Sequence, residues 1–143
     1  MRKIKFRAWD KKSKKMRQVT EIVFNTGFYM EKNDNSVKLI WVKGQDIIEN
    51  KEIQMQREKD YILMQYTGLK DKNGVEIYEG DIVAERGHYC NSDKIIYQKI
   101  QWKENYSCWL RGEYQRLTPK NIKQYQIEVV GNIYDNPDLL KGE

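Results

Sequence analysis

Apolar and polar residues alternate with a period of two at the start of this chain. Ile4, Phe6 and Ala8 fall on one face, and Lys3, Lys5, Arg7 and Trp9 on the other, the signature of a half-buried β-strand. A polar stretch from Asp10 to Lys15 follows, and Met16-Arg17-Gln18-Val19 can return antiparallel. The pattern predicts a hairpin with a cationic tip. Residues 21–30 form a second apolar segment, broken at Asn25-Thr26-Gly27. Asn33-Asp34-Asn35 marks a turn, because Asn and Asp bond their own backbone and tolerate positive φ. With a strand over 37–42, residues 1–42 are expected to form a small antiparallel sheet. Residues 45–59 place apolar groups at 47, 48 and 53, a weak helical spacing in a charged region that suits a loop equally well. Strand character returns over 60–66.

The next stretch is rich in turn signals. Asn73-Gly74 suits a type I′ hairpin turn, which needs two positive φ values. Glu79-Gly80-Asp81 predicts a second tight turn into Ile82-Val83-Ala84, and residues 86–93 a loop. Ile96, Ile100 and Trp102 share one face of a strand over 95–102. Further strands are expected over 106–110, 114–117 and 125–130, separated by Arg111-Gly112 and by Thr118-Pro119-Lys120-Asn121. Asn136 and Pro137 suit the cap and first position of a short terminal turn. Closely spaced strands of this kind predict a small barrel or sandwich. The expected fold is therefore mainly β with little helix, in two small β-rich parts. Residues 1–59 would hold an antiparallel sheet with the basic hairpin, and residues 60–143 a barrel-like part.

The run from Gln65 to Val83 closely resembles the signature of the YopX-like family of small phage and prophage proteins. Thr67-Gly68-Leu69, Asn73-Gly74 and Ile77-Tyr78-Glu79-Gly80-Asp81 carry the match. Ile4-Lys5-Phe6-Arg7-Ala8-Trp9-Asp10 and Val130-Gly131-Asn132-Ile133-Tyr134-Asp135-Asn136-Pro137 extend it to both ends of the chain. The resemblance implies a mainly β protein of two β-rich parts, working in the cytoplasm of an infected or lysogenic bacterium. Its matched residues, Gly131 and Asn132 included, are mostly glycines, turn polars and β apolars. Such a set specifies backbone shape, and no catalytic residue comes with it. Nothing carries over for residues 20–60.

Composition sharpens the picture in a few places. With 143 residues, ten Tyr and four Trp, the chain has material for a core despite 33% charged residues, which argues against disorder. Two cysteines are too few for a disulfide scaffold. No apolar run approaches the ~20 residues that span a bilayer, and the basic start lacks the apolar run of a secretory signal. A cytoplasmic protein without membrane contact is expected. The formal charge is +5, but residues 1–17 alone carry +8 and the remainder −3. The basic character belongs to one element.

That element is the first chemical candidate. Lys3, Lys5, Arg7, Lys11, Lys12, Lys14, Lys15 and Arg17 could line a phosphate-contacting surface, with Trp9 stacking on a base. The competing reading is a solvated outer face, with lysines that block sheet-to-sheet aggregation. His88, Cys90 and Cys108 would need a carboxylate such as Asp93 to complete a zinc site and lack paired short spacings. Idle cysteines are the simpler account, and neither metal nor cofactor is expected. Glu76, Glu79, Asp81 and Glu85 could bind Mg²⁺ or act as acid and base, or form the solvated side of a strand with Asp81 fixing its turn. Gly68, Gly74 and Gly80 lack the Lys-Ser/Thr ending of a phosphate loop. The aromatics at 61, 66, 78, 97, 102, 106, 109, 114, 125 and 134 are expected in the core, with some at a subunit interface. These residues point to a non-enzymatic interaction module, a homo-oligomer binding a phage or host protein. The alternative is a nucleic-acid accessory protein using the basic hairpin.

Overall fold

A computed structural model describes residues 3–25, 38–45, 52–55, 60–86 and 94–141, and among these residues β-branched and aromatic side chains on alternating positions build eleven strands. The chain divides into two compact units, Lys5–Met64 and Gln65–Glu143 together with Met1–Ile4.

In the N-terminal unit, β1 (Phe6–Asp10) and β2 (Lys15–Asn25) form the predicted hairpin, with Trp9 opposite Met16 and Asp10 opposite Lys15. β3 (Lys38–Gln45) pairs with β2, and β4 (Glu52–Met55) with β3, all antiparallel. β5 (Tyr61–Lys70) lies on the other side of β1. Ala8 and Tyr61 are buried at the centre of a small core, with Val19, Ile22 and Leu63 against them. The sheet thus extends past residue 42. Residues 52–55, where the spacing hinted at helix or loop, are an edge strand, because β3 offers unpaired N–H and C=O groups that a ladder satisfies. The turn read at Asn33-Asp34-Asn35 lies outside the described residues.

In the C-terminal unit, β6 (Glu76–Tyr78) pairs with β5, placing Tyr66 opposite Tyr78. β7 (Asp81–Arg86), β8 (Ile95–Lys103), β9 (Cys108–Arg111), β10 (Gln115–Arg116) and β11 (Glu128–Asn132) make an antiparallel sheet of order β10-β9-β8-β7-β11. Among the described residues no pairing joins β10 to β11, so the expected barrel is an open sheet. One face carries Val83, Ile100, Trp109 and Val129, which pack with Ile77, Leu117, Ile122 and Ile127. Burying each of the Ile and Val side chains stabilises by about 1.5–3 kcal/mol.

Ile122 reaches this core from α1 (Pro119–Gln124), a helix where the sequence reading placed only a turn. Its start is nonetheless written in the chain. The Thr118 hydroxyl accepts the Asn121 N–H at 3.2 Å, and Pro119 takes the first helical position. The helix displaces the start of the next strand from residue 125 to Glu128.

The signature turn also differs from the expectation. Gly74 has φ +86, but Asn73 does not share a positive φ, so the turn is not type I′. The Gly74 N–H donates to the Asp71 carbonyl at 3.1 Å and the Asp71 N–H to Val75 O at 2.8 Å, a type I turn closed by a left-handed glycine. The reason is the Asp71 side chain. Its Oδ1 accepts the N–H groups of Asn73 (2.8 Å) and Val75 (2.9 Å), fixing the bend before the glycine is reached. Oδ2 accepts the Val129 N–H at 3.0 Å, and the Lys72 N–H donates to Ile127 O at 3.0 Å. The hairpin is thereby bound to the segment that enters β11. The following turn is held similarly: Asp81 Oδ2 accepts the Tyr78 N–H at 2.7 Å, while Gly80 donates to Ile100 O and accepts from the Ile133 N–H.

At the far end Asn136 crosses over Gly131, at a β-bulge in β11. A Cβ on Gly131 would collide with the Asn136 carboxamide oxygen and stand 2.8 Å from its Cγ. Asn136 therefore does not cap the 3₁₀ turn Pro137–Leu140 with its side chain. It leans back, and its Oδ1 accepts the Asn132 N–H at 3.4 Å. Gly131→Ala is expected to destabilise the protein by about 1–3 kcal/mol through overpacking. Adding Asn136→Ala should recover part of that loss, measured as urea midpoints at unchanged m-value.

Candidate interaction surfaces

The basic hairpin owes its shape to a carboxylate at its tip. Asp10 Oδ1 accepts the N–H groups of Lys12 (3.0 Å) and Ser13 (3.2 Å), and Oδ2 accepts the Ser13 hydroxyl at 2.5 Å. Arg17 closes the group from β2: its Nη2 donates to Ser13 Oγ at 3.1 Å and lies 3.7 Å from Asp10 Oδ2. Lys14 takes a left-handed φ of 53° to complete the turn, and the Lys11 N–H donates to Asp60 O at 2.9 Å. Burial pushes the Asp10 carboxyl up. The Ser13 hydroxyl, the Ser13 and Lys12 N–H groups and the Arg17 charge outweigh it, leaving the pKa below its ordinary 3.8.

This network sorts the residues singled out in the sequence. Lys3, Lys11, Lys12, Lys14 and Lys15 are exposed, whereas Lys5 and Arg7 are half-buried, with Arg7 Nη2 at 3.9 Å from Met64 Sδ. Arg17 is buried and held by Asp10 and Ser13. Trp9 is only 8% exposed, so its ring is not presented for stacking on a base. The outward charge is concentrated in the four lysines of residues 11–15.

The carboxylates at 76, 79, 81 and 85 do not form a cluster open to solvent. Asp81 and Glu85 are each 1% exposed. Asp81 fixes its turn as expected, and Glu76 Oε2 accepts the Tyr78 hydroxyl at 2.9 Å. Glu85 forms a buried ion pair with Arg111, a partner that nothing in the period-2 pattern of β7 reveals. The pairing register puts Glu85 on β7 and Arg111 on β9 on the same face of the sheet, flanking β8. The Tyr125 ring covers the guanidinium at 4.9 Å. Burial lowers the Arg111 pKa, and interaction with Tyr125 acts against that shift. Such a pair adds little net stability because desolvation consumes most of the Coulomb gain, but removing one partner strands a buried charge at a cost of about 3–5 kcal/mol.

Of the metal candidates, Cys108 is a half-buried free thiol; His88, Cys90 and Asp93 lie outside the described residues. Among the described residues no group of three or more His, Cys, Asp or Glu side chains is arranged to hold a metal ion, and no helix is long and apolar enough to cross a membrane. Of the ten aromatics expected in the core, Tyr61, Tyr66 and Trp109 are buried, and Tyr78, Tyr97, Tyr125 and Tyr134 are half-buried. Trp102 and Tyr106 are 41% and 52% exposed at one end of the β8–β9 hairpin, where Trp102 meets Trp109 edge-on at 5.1 Å. Tyr114 is exposed on the β9–β10 turn.

The Asp10 network sets a pH dependence. Its pKa is lowered on folding, so its stabilisation is complete above the unfolded value near 3.8 and is lost as pH falls through the folded value. The stability gap between the native protein and Asp10→Asn should stay constant at neutral pH and close below about pH 4, as followed by chemical denaturation across that range.

No curated protein matches this chain. The crystal structure of protein EF1440 from Enterococcus faecalis is similar at 26% identity and a TM-score of 0.64, covering 98% of this chain and 99% of that one. The family model described as YopX protein matches residues 5–141, which include the hairpin, the Asp71 turn and the Gly131 bulge. The chain belongs to the YopX protein family.

Proposed function

We propose that this chain is a non-enzymatic interaction module of a phage or prophage, acting in the bacterial cytoplasm and contacting the phosphate backbone of a nucleic acid through its lysine turn. The supporting observation is the separation of charge at the hairpin tip. The one acid there, Asp10, is taken up by backbone N–H groups, Ser13 and Arg17, while Lys11, Lys12, Lys14 and Lys15 face solvent. Four cations on a fixed turn can displace counterions from a phosphate backbone without reading sequence. Burial of Trp9 fits a backbone-only mode. Fluorescence anisotropy with short duplex DNA should show a log–log salt slope of about −3 to −4, equivalent to roughly a hundredfold loss between about 50 and 200 mM salt. Changing the four lysines to Gln should abolish binding. Absence of binding at the lower salt, or a slope unaffected by that variant, defeats the reading.

The exposed Trp102 and Tyr106 favour a second reading, self-association or docking to a phage or host protein, since large aromatics anchor protein interfaces. Sedimentation velocity at micromolar concentration should then show an oligomer that Tyr106→Ser dissociates; a monomer at every concentration argues against self-association.

A further inference from the structure

The C-terminal unit contains a cleft of about 410 Å³ between the end of β5 with its turn and helix α1, within the ~300–1,000 Å³ range of small-ligand sites. Its apolar lining comes from Leu69, Ile122 and Pro119, of which Ile122 is part of the packed core and Leu69 packs against it. Its cationic groups come from two elements, Lys70 and Lys72 from the strand end and turn and Lys123 from the last turn of α1, all exposed. Among the described residues one acid lines the cleft, Asp71. It is 6% exposed, and its carboxylate oxygens are directed to the N–H groups of Asn73, Val75 and Val129. Lys72 pairs with Glu128 at 2.5 Å, and the exposed Lys70 and Lys123 add one further cation from each of the two elements. Gly68 contributes no side chain at the edge, and Gln126 Nε2 donates to Lys123 O, fixing the end of the helix. A lining that combines apolar side chains with exposed lysines suits a ligand that is itself divided into a flat apolar part and an anionic part.

We propose that this cleft binds a small organic phosphate of the nucleotide class, with the phosphate between Lys70 and Lys123 and the ring on Leu69, Ile122 and Pro119. The site is separate from the lysine turn at residues 11–15 and does not depend on that turn contacting nucleic acid.

The probe is adenosine 5′-monophosphate, titrated calorimetrically into the full chain, with adenosine as the uncharged control. Saturable binding is expected, weakened about tenfold or more by Lys70→Gln with Lys123→Gln, since each removes a charge-assisted contact. Both lysines are exposed, so the variant should keep the native far-UV spectrum and urea midpoint. The variant with Lys11, Lys12, Lys14 and Lys15 changed to Gln should bind as the native chain does. The proposal is overturned if no binding appears up to millimolar nucleotide, if adenosine binds equally well, or if the Lys70 and Lys123 changes leave affinity unaltered. It is also overturned if the four-lysine variant is the one that loses binding.

Discussion

The Asp71 carboxylate is the constraint on which most of the C-terminal unit rests. Three backbone N–H groups converge on its two oxygens, two from its own turn and one from β11, 58 residues away. Each is a hydrogen bond to a charged acceptor, worth about 1.5–3 kcal/mol. One side chain thus sets the bend of the β5–β6 hairpin and fixes where Glu128–Asn132 meets it. The core between β11 and α1, with Ile122 and Ile127, and the cleft above Leu69 both take their geometry from that fixed point. A glycine at 74 completes the turn that the carboxylate has already begun.

The charged residues divide by depth, and depth decides their role. Asp10 with Arg17, and Glu85 with Arg111, are buried and paired. Their energy goes largely into offsetting desolvation, so what they add is definition of geometry: a hairpin tip in one case, the relation of β7 to β9 in the other. The lysines at 11, 12, 14, 15, 70 and 123 lie at the surface, where intramolecular pairs would be worth little anyway. Those are the charges with something to offer a partner.

How much of this was legible in the sequence follows from how local each feature is. The β1–β2 hairpin, the strand character of β5, β7 and β8, the Gly80–Asp81 turn and the family resemblance all depend on neighbouring residues and could be read directly. Helix α1 was also locally encoded, by Thr118 and Pro119, and was lost because six residues are too few to show a helical period. The type of the 71–75 turn was misread because Asn73-Gly74 is a strong signal on its own, while the deciding side chain stands two residues earlier. The Glu85–Arg111 pair and the burial of Trp9 were beyond reach. Glu85 alternates with apolar residues much as a solvated strand position would, and only the pairing of β7 and β9 to opposite sides of β8 brings Arg111 to it. The cleft was invisible for the same reason, since Lys70 and Lys123 are 53 positions apart in the chain.

The two surfaces proposed for anions share one device. At each, an aspartate opens a turn and accepts the N–H of the second residue after it, Lys12 for Asp10 and Asn73 for Asp71, together with a further backbone donor. An aspartate used this way removes its negative charge from competition for neighbouring lysines, because its lone pairs are already directed to backbone donors. The same bonds that fix the turn therefore occupy the carboxylate nearest to those lysines. A lysine-rich loop lacking such a carboxylate would lose more entropy on meeting a phosphate, since the turn would have to be ordered at that moment. In this chain folding supplies the ordering of both turns, which would lower the entropy cost of the two proposed contacts.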